Sequence, residues 1–186
     1  MKLETVEVRD LDPRDPVWEA FVPNYPGFRE WLSRISSDGR GAWVFRDSGK
    51  TAALCIFKQE EGLDTGNGVL PGKVLKLGSF YVAPGYRGRG LAGALLDQAM
   101  KHAAAAGCRY VYLHSNNLST QGFFRRRGFS DAGFHPVAGR FDLIQAREPC
   151  AKYFSPSIPN TWTGFCPGKS GSNTAGRPHG PGFPIF

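Results

Sequence analysis

The residues best suited to chemistry lie between Leu75 and Met100. Arg87-Gly88-Arg89-Gly90 stands between an apolar run that ends at Val82 and a run rich in leucine and alanine that begins at Leu91-Ala92. A strand that feeds a glycine-rich turn at a helix N-terminus is a place to hold phosphate. The first N–H groups of a helix have no partner inside it, and the helix dipole sets partial positive charge there. Glycine lets the backbone come close to an anion. Arg87 and Arg89 bring guanidinium groups that fork onto phosphate oxygens. Groups able to move protons are Glu60, Glu61, Tyr81, Tyr86, His114 and Ser115. His114 stands out because an imidazole titrates near neutrality. An imidazole satisfied by backbone at a strand end is the competing reading for it, and a solvated carboxylate is the competing reading for Glu60 and Glu61.

These groups need elements to position them. Residues 74–82 alternate as a strand, with Leu75, Leu77, Ser79 and Tyr81 on one face and Val74, Lys76, Gly78, Phe80 and Val82 on the other. A helix runs from about Gly88 to Ala106. Leu91, Leu95, Ala99 and Ala103 form a row at four-residue spacing, and Gly107 follows as the C′ residue. Arg109 to His114 then reads as a buried strand. Strand, turn, helix and strand make a right-handed parallel crossover. Ser119 is the expected N-cap of a short helix through about Arg127, and Gly128 ends it. Upstream, Leu3 to Arg9 suits a strand. Asp15 and Pro16 start the first of two short helices, the second ending before Gly39. Gly41 to Phe45 and Thr51 to Phe57 read as a hairpin. Gln59 to Gly72 holds four glycines and no periodicity, which predicts a loop. Ala132 to Ala146 reads as a last hairpin that bends at Pro136 to Gly139.

The chain has 186 residues and a formal charge of +7, enough length for one domain with a substantial core. No apolar run approaches the roughly 20 residues of a membrane helix, and the charged, alternating N-terminus does not read as a signal peptide. The expectation is a cytoplasmic protein with no membrane partner. The four cysteines form no C-x-x-C pair and have no histidine at metal-ligand spacing. Reduced thiols are expected, with Cys55 and Cys108 in the core and no metal site. Seven of the 14 prolines fall in residues 149–186, together with aromatics such as Tyr153, Trp162 and Phe165. The expected organisation is a domain over 1–148 and a proline- and glycine-rich tail over 149–186, partly irregular or docked on the domain or a partner. Arg125-Arg126-Arg127 reads as a solvated helix face ahead of a nucleic-acid contact.

Two blocks resemble a known family. Val82-Ala-Pro84 leads into Arg87-Gly-Arg-Gly90-Leu-Ala92, and the GNAT acyl-CoA N-acyltransferases carry Arg/Gln-x-x-Gly-x-Gly/Ala after a strand ending Val-x-Pro. The second family block reads Asn-x-x-Ala-x-x-Phe-Tyr, then three residues and Gly-Phe. Here it is Asn117-Leu-Ser-Thr120-Gln-Gly-Phe123-Phe124-Arg-Arg-Arg-Gly128-Phe129. The resemblance covers about residues 74–129, with the blocks in the family's order and spacing. It implies an α/β (α+β) fold with a mixed, mostly antiparallel sheet, a splayed parallel strand pair and helices on both faces. Acetyl-CoA then lies in the splayed gap. Residues Arg87, Gly88, Arg89, Gly90, Leu91 and Ala92 hold its pyrophosphate, backbone at Phe80 and Val82 pairs with its pantetheine arm, and Asn117 and Phe124 match family positions that touch it.

The implied reaction is attack by an amine on the acetyl thioester, with a base for the ammonium and an acid for the departing thiolate. The resemblance makes the Tyr of Phe-Tyr the usual acid. This chain has Phe124 there, which carries no proton to give. Either another group among Tyr81, Tyr86, Ser115 and His114 serves, or the thiolate leaves as an anion, or the protein binds acyl-CoA without efficient turnover. The candidate bases are His114, Glu60 and Glu61. Three functions fit this sequence: an N-acetyltransferase acting on a small-molecule or protein amine, an acyl-CoA-binding module that works through a partner, and a toxin-like acetyltransferase of aminoacyl-tRNA. A homodimer or a partner docked through the tail is compatible with each.

Overall fold

A computed structural model describes residues 1–149 apart from 26, 67, 138 and 139. The tail expected over 149–186 lies outside the described residues from 150 on. Seven strands form one sheet: β1 (Lys2–Glu7), β2 (Gly41–Asp47), β3 (Lys50–Asp64), β4 (Val69–Val82), β5 (Tyr110–Ser115), β6 (Ser130–Val137) and β7 (Arg140–Arg147). Their spatial order is β1-β2-β3-β4-β5-β7-β6. Every neighbouring pair is antiparallel except β4 and β5. The helices are α1 (Phe28–Ser36), α2 (Leu91–Ala105) and α3 (Leu118–Arg125). Among the described residues, no helix is long and apolar enough to cross a membrane.

The helices cover both faces because the strands are apolar on both. On one face, Trp43, Cys55, Leu75 and Leu77 bury the row Leu91, Leu95, Ala99 and Ala103 of α2, together with Phe124 and Phe129 beside it. On the other, Val44, Leu54 and Ile56 bury Phe28, Leu32 and Ile35 of α1 and the indole of Trp18. Cys55 and Cys108 are free thiols in the interior, as expected, and burial pushes the Cys55 thiol far up. The first expected helix is instead a pair of 3-10 turns, Pro16–Ala20 and Val22–Asn24. Asp15 does cap the first of them, accepting from the Val17 N–H at 2.9 Å. Pro23 lacks the N–H that a longer α-helix would need.

Two expectations about strands are corrected. Gln59 to Gly72 is not a loop but the outer part of the β3–β4 hairpin, whose strands pair there from Gln59↔Leu75 out to Asp64↔Val69. The glycines that hide the pattern sit at a bulge and a turn, where the backbone has positive φ. The hairpin tip is tied down: the Phe134 N–H of β6 donates to the Thr65 carbonyl at 3.0 Å. Gly133 makes that approach possible, since a Cβ there would lie 2.0 Å from the Thr65 oxygen. The second correction concerns β4. Ile56 pairs with Gly78 and Leu54 with Tyr81, so Ser79 and Phe80 together oppose Cys55. Ser79 adopts φ 45° at this bulge. The alternation therefore slips. Phe80 and Val82 join the α2 face with Leu75 and Leu77, while Tyr81 turns to the α1 face.

Candidate active site

The turn before α2 is open and uncapped. Gly88 and Gly90 have φ of 76° and 79°, and a Cβ at either would meet nothing within 4 Å. Gly90 occupies the N-cap position and offers no side chain to the first N–H groups of α2. Those donors face the side on which Arg87 and Arg89 are exposed. Tyr86 pins the turn, its hydroxyl donating to Asp47 Oδ2 at 2.9 Å. That hydrogen bond to a carboxylate holds the phenol above its usual pKa. Arg89 stacks on the Tyr86 ring, 5.2 Å from its centroid. A third guanidinium was not legible as part of this site. Arg127 lies over the Phe123 ring at 4.8 Å, and its Nη1 is 3.3 Å from where a Cβ of Gly93 would stand in the first turn of α2. Its neighbour Arg125 is tied to Asp131 at 2.8 Å instead. The arginine run thus divides between an ion pair and the α2 N-terminus.

Beside the turn the sheet comes apart. β4 and β5 pair over three positions only, Val74↔Tyr110 to Lys76↔Tyr112, while β4 continues to Val82 and β5 to Ser115. The resulting cleft, about 610 Å³, is walled by Gly78, Ser79 and Phe80 on one side and Leu113, His114 and Ser115 on the other. Phe124 does not line it. The ring is wholly buried behind Phe80, edge-on at 5.2 Å, and edge-on to Phe129 at 5.1 Å. Asn117, not Ser119, is the N-cap of α3, its side chain accepting from the Thr120 N–H at 3.0 Å. Asn117→Ala is expected to cost about 1 kcal/mol in a urea melt. Asn117→Ser keeps the cap, and its stability should match wild type within a few tenths.

The proton-moving groups separate in space. His114 is on the cleft wall, with Nδ1 3.1 Å from Oδ2 of the buried Asp142 on β7. A carboxylate only accepts, so Nδ1 carries the proton and Nε2 keeps its lone pair. Burial holds the His114 imidazole below its ordinary pKa, and the hydrogen bond to Asp142 opposes this without overcoming it; the charges of Lys76 and His135 add to the lowering. The ring is therefore neutral at pH 7. The His135 ring packs tilted against it, with centroids 4.6 Å apart. Glu60 stands in the middle of β3 and accepts from the Tyr112 hydroxyl at 2.5 Å. Burial and this bond push the Tyr112 phenol up. Glu60 faces a second cavity of about 450 Å³ under the β3–β4 hairpin, which it lines with Glu61 and Asp64. Lys76, His114 and His135 line both spaces. Tyr81 lines neither and packs against Phe21 at 5.4 Å. Asp142 was missed from the sequence because nothing local marks it. Only the β5–β7 pairing brings β7 alongside His114. Among the described residues no cluster of histidine, cysteine and carboxylate groups is fit to hold a metal ion.

The profile of the Acetyltransferase (GNAT) family matches residues 5–129. Solved structures share the fold. Arabidopsis thaliana NAA60 in complex with acetyl-CoA is 18% identical, with TM-score 0.58, covering 79% of this chain and 98% of that one. The Bacillus subtilis N-acetyltransferase YlbP in complex with coenzyme A is 15% identical, with TM-score 0.54 over 80% and 96% of the two chains. A ribosomal-protein-alanine N-acetyltransferase from Brucella melitensis is 18% identical, with TM-score 0.55 over 80% and 99%. No curated protein matches the chain significantly. The two sequence blocks, the single parallel strand pair that opens beside an uncapped helix, and the profile match agree, and the chain belongs to the GNAT acetyltransferase family.

Proposed function

We propose that this protein is an acetyl-CoA-dependent N-acetyltransferase in which His114, held by Asp142, is the general base. One juxtaposition carries the reading: the cleft left by the open β4–β5 pair has the neutral imidazole of His114 on its wall. The residues present fit the co-substrate. The α2 N-terminus with Arg87, Arg89 and Arg127 suits a pyrophosphate. The bulged backbone at Ser79 and Phe80 steps out of the β3 ladder opposite Cys55 and borders the cleft, which suits an extended amide-bearing arm. Acetyl-CoA, when bound, supplies an acetyl group activated as a thioester.

The chain's own residues supply the rest. His114 Nε2 takes the proton from the acceptor's ammonium, and Asp142 stabilises the imidazolium that forms. A main-chain N–H at the Ser79 bulge polarises the carbonyl under attack. Phe124 leaves no phenol at the family's usual position. Ser115, on the cleft wall, is a hydroxyl able to relay to the departing thiolate the proton that the attacking nitrogen loses as the amide forms. Release of thiol and formation of acetyl-amine from acetyl-CoA with a broad amine panel is the direct test. Tight CoA binding with no turnover of any amine would leave a binding module instead. Arg87→Ala and Arg127→Ala are each expected to weaken CoA binding about tenfold by calorimetry. An unchanged affinity in both would remove the pyrophosphate assignment.

A further inference from the structure

The charges around the cleft point to the kind of amine it accepts. Four cationic side chains line it: Arg34, Arg40, Lys58 and Lys76. Asp142 is the one carboxylate among its lining residues, and it is engaged with His114. The cations are poorly neutralised. Among the described residues, Arg34 and Lys76 have no carboxylate within the 4.0 Å reach of an ion pair. Lys58 comes only to 3.9 Å from Glu60. Arg40 is paired with Asp38 at 3.0 Å and lies 5.9 Å over the Trp31 ring. Lys76 is also largely enclosed, 5.7 Å over the Tyr112 ring; burial works against its ammonium form, the nearby Glu60 carboxylate favours it, and the charges of Arg40 and Lys58 oppose it again. Even with Glu60 beside Lys58 and Lys76, the residues that line the cleft set four cations against one carboxylate, an excess that attracts an anionic group.

Beside these cations the cleft is aromatic. Phe21, Tyr25, Phe28 and Trp31 line the same space and pack ring against ring, with Tyr25 edge-on to Trp31 at 5.9 Å and Phe21 stacked on Phe28 at 5.1 Å. Such a wall takes a large apolar body. His114 lines the same cleft.

We infer that the acceptor is a small primary amine bearing its own carboxylate on an apolar or aromatic body, the chemistry of a free aromatic amino acid, with the carboxylate held by Arg40, Lys58 and Lys76 and the side chain against Trp31 and Phe28. This deepens the acetyltransferase reading and rests on it. Polycations are excluded by the same charges: an amine with several positive groups would meet four cations. A peptide N-terminus lacks the α-carboxylate and leaves them unanswered.

The test is acetylation at saturating acetyl-CoA, read as N-acetyl product by mass spectrometry. The acceptors are tryptophan, tryptophan amide, tryptamine, an alanine-containing peptide with an N-terminal tryptophan, and spermidine. Tryptophan is expected to exceed the amide, the peptide and tryptamine at least tenfold in kcat/KM, with spermidine at background. In Arg40→Gln and in Lys58→Gln, the ratio of kcat/KM for tryptophan over its amide should fall about fivefold to tenfold, through KM. Equal or faster turnover of the amide, the peptide, tryptamine or spermidine overturns the inference and leaves the acetyltransferase standing. So does a ratio unmoved in both variants. Acetyl-CoA binding with no acetylation of any of the five overturns both.

Discussion

Replacing His114 with glutamine lowers kcat by about a hundredfold to a thousandfold and leaves acetyl-CoA affinity unchanged, the range expected for loss of a general base. Glutamine matches the ring in reach but cannot take a proton at neutral pH. The parts proposed above to hold the co-substrate are elsewhere, at the α2 turn and the Ser79 bulge, so binding should be unaffected. The pH profile identifies the group. Burial holds the native imidazole below its ordinary value of about 6.5. The charges facing it are Lys76, His135 and Asp142, and only Asp142 works in the opposite sense. The acid limb of kcat/KM should therefore lie below pH 6.5 in the wild type and be absent from the residual rate of His114→Gln. In Asp142→Asn the limb should move further toward acid, because the one group that favours the imidazolium is gone, and the rate should fall as well. An unmoved limb in Asp142→Asn would leave Asp142 a structural residue only.

The same depression bears on stability. His114 and His102 are both held low by burial. Below about pH 6.5 the unfolded chain takes up protons that these two refuse in the native state. Their contribution is therefore fully present above that pH and declines as pH falls toward the native values. Urea unfolding at pH 7 and at pH 5.5 measures the decline, and His114→Gln should make it shallower.

Gly133→Ala is expected to destabilise the fold by about 3–5 kcal/mol, the largest effect of any single methyl group considered. The residue has φ 153°, and its new Cβ would stand 2.0 Å from the Thr65 carbonyl oxygen and 2.8 Å from the Thr65 Cβ. Neither neighbour is the end of a flexible side chain. The hairpin tip must lift off β6, which breaks the hydrogen bond from Phe134 to Thr65 and loosens Leu63, Val74, Tyr112 and Ile144 beneath it. Gly85→Ala is the control, because nothing lies within 4 Å of its Cβ and its φ is not in the left-handed region. Its urea midpoint should stay with the wild type while that of Gly133→Ala falls. An unfolding free energy for Gly133→Ala within about 1 kcal/mol of wild type would mean that the tip is not clamped.

What could be read from the sequence followed from local patterns. The α2 row, the Gly88 and Gly90 turn and the crossover into β5 are encoded within 40 residues by spacing and by glycine. The family blocks added the cofactor. What escaped depends on partners distant in the chain. The bulge at Ser79 exists because β3 and β4 pair out of step there, and it reversed the assigned face of Tyr81 and Phe80. The 59–72 segment hid its strands because only Leu63 and Thr65 are buried among its described residues and its glycines interrupt the run, too little to show alternation. Asp142 and Arg127 joined the site through strand pairing and through helix packing. Neither carries a mark in its own neighbourhood. Phe124 was placed at the right position of α3, yet its surroundings, wholly core, became visible only with Phe80 and Phe129 around it.

The three-position pairing of β4 with β5 also makes stability a function of concentration. Past Lys76 the two strands forgo the ladder that neighbours elsewhere in the sheet enjoy, so the free protein folds with part of its sheet incomplete. A ligand arm lying along β4 would complete it only in the native state. By mass action the fold then gains RT ln(1 + [L]/Kd), about 2.7 kcal/mol at a hundredfold excess over Kd. Such a gain would rival the cost of many single substitutions. Variants such as Gly133→Ala would recover part of their lost stability when acetyl-CoA is abundant, and the half-life of the protein would track the supply of that ligand.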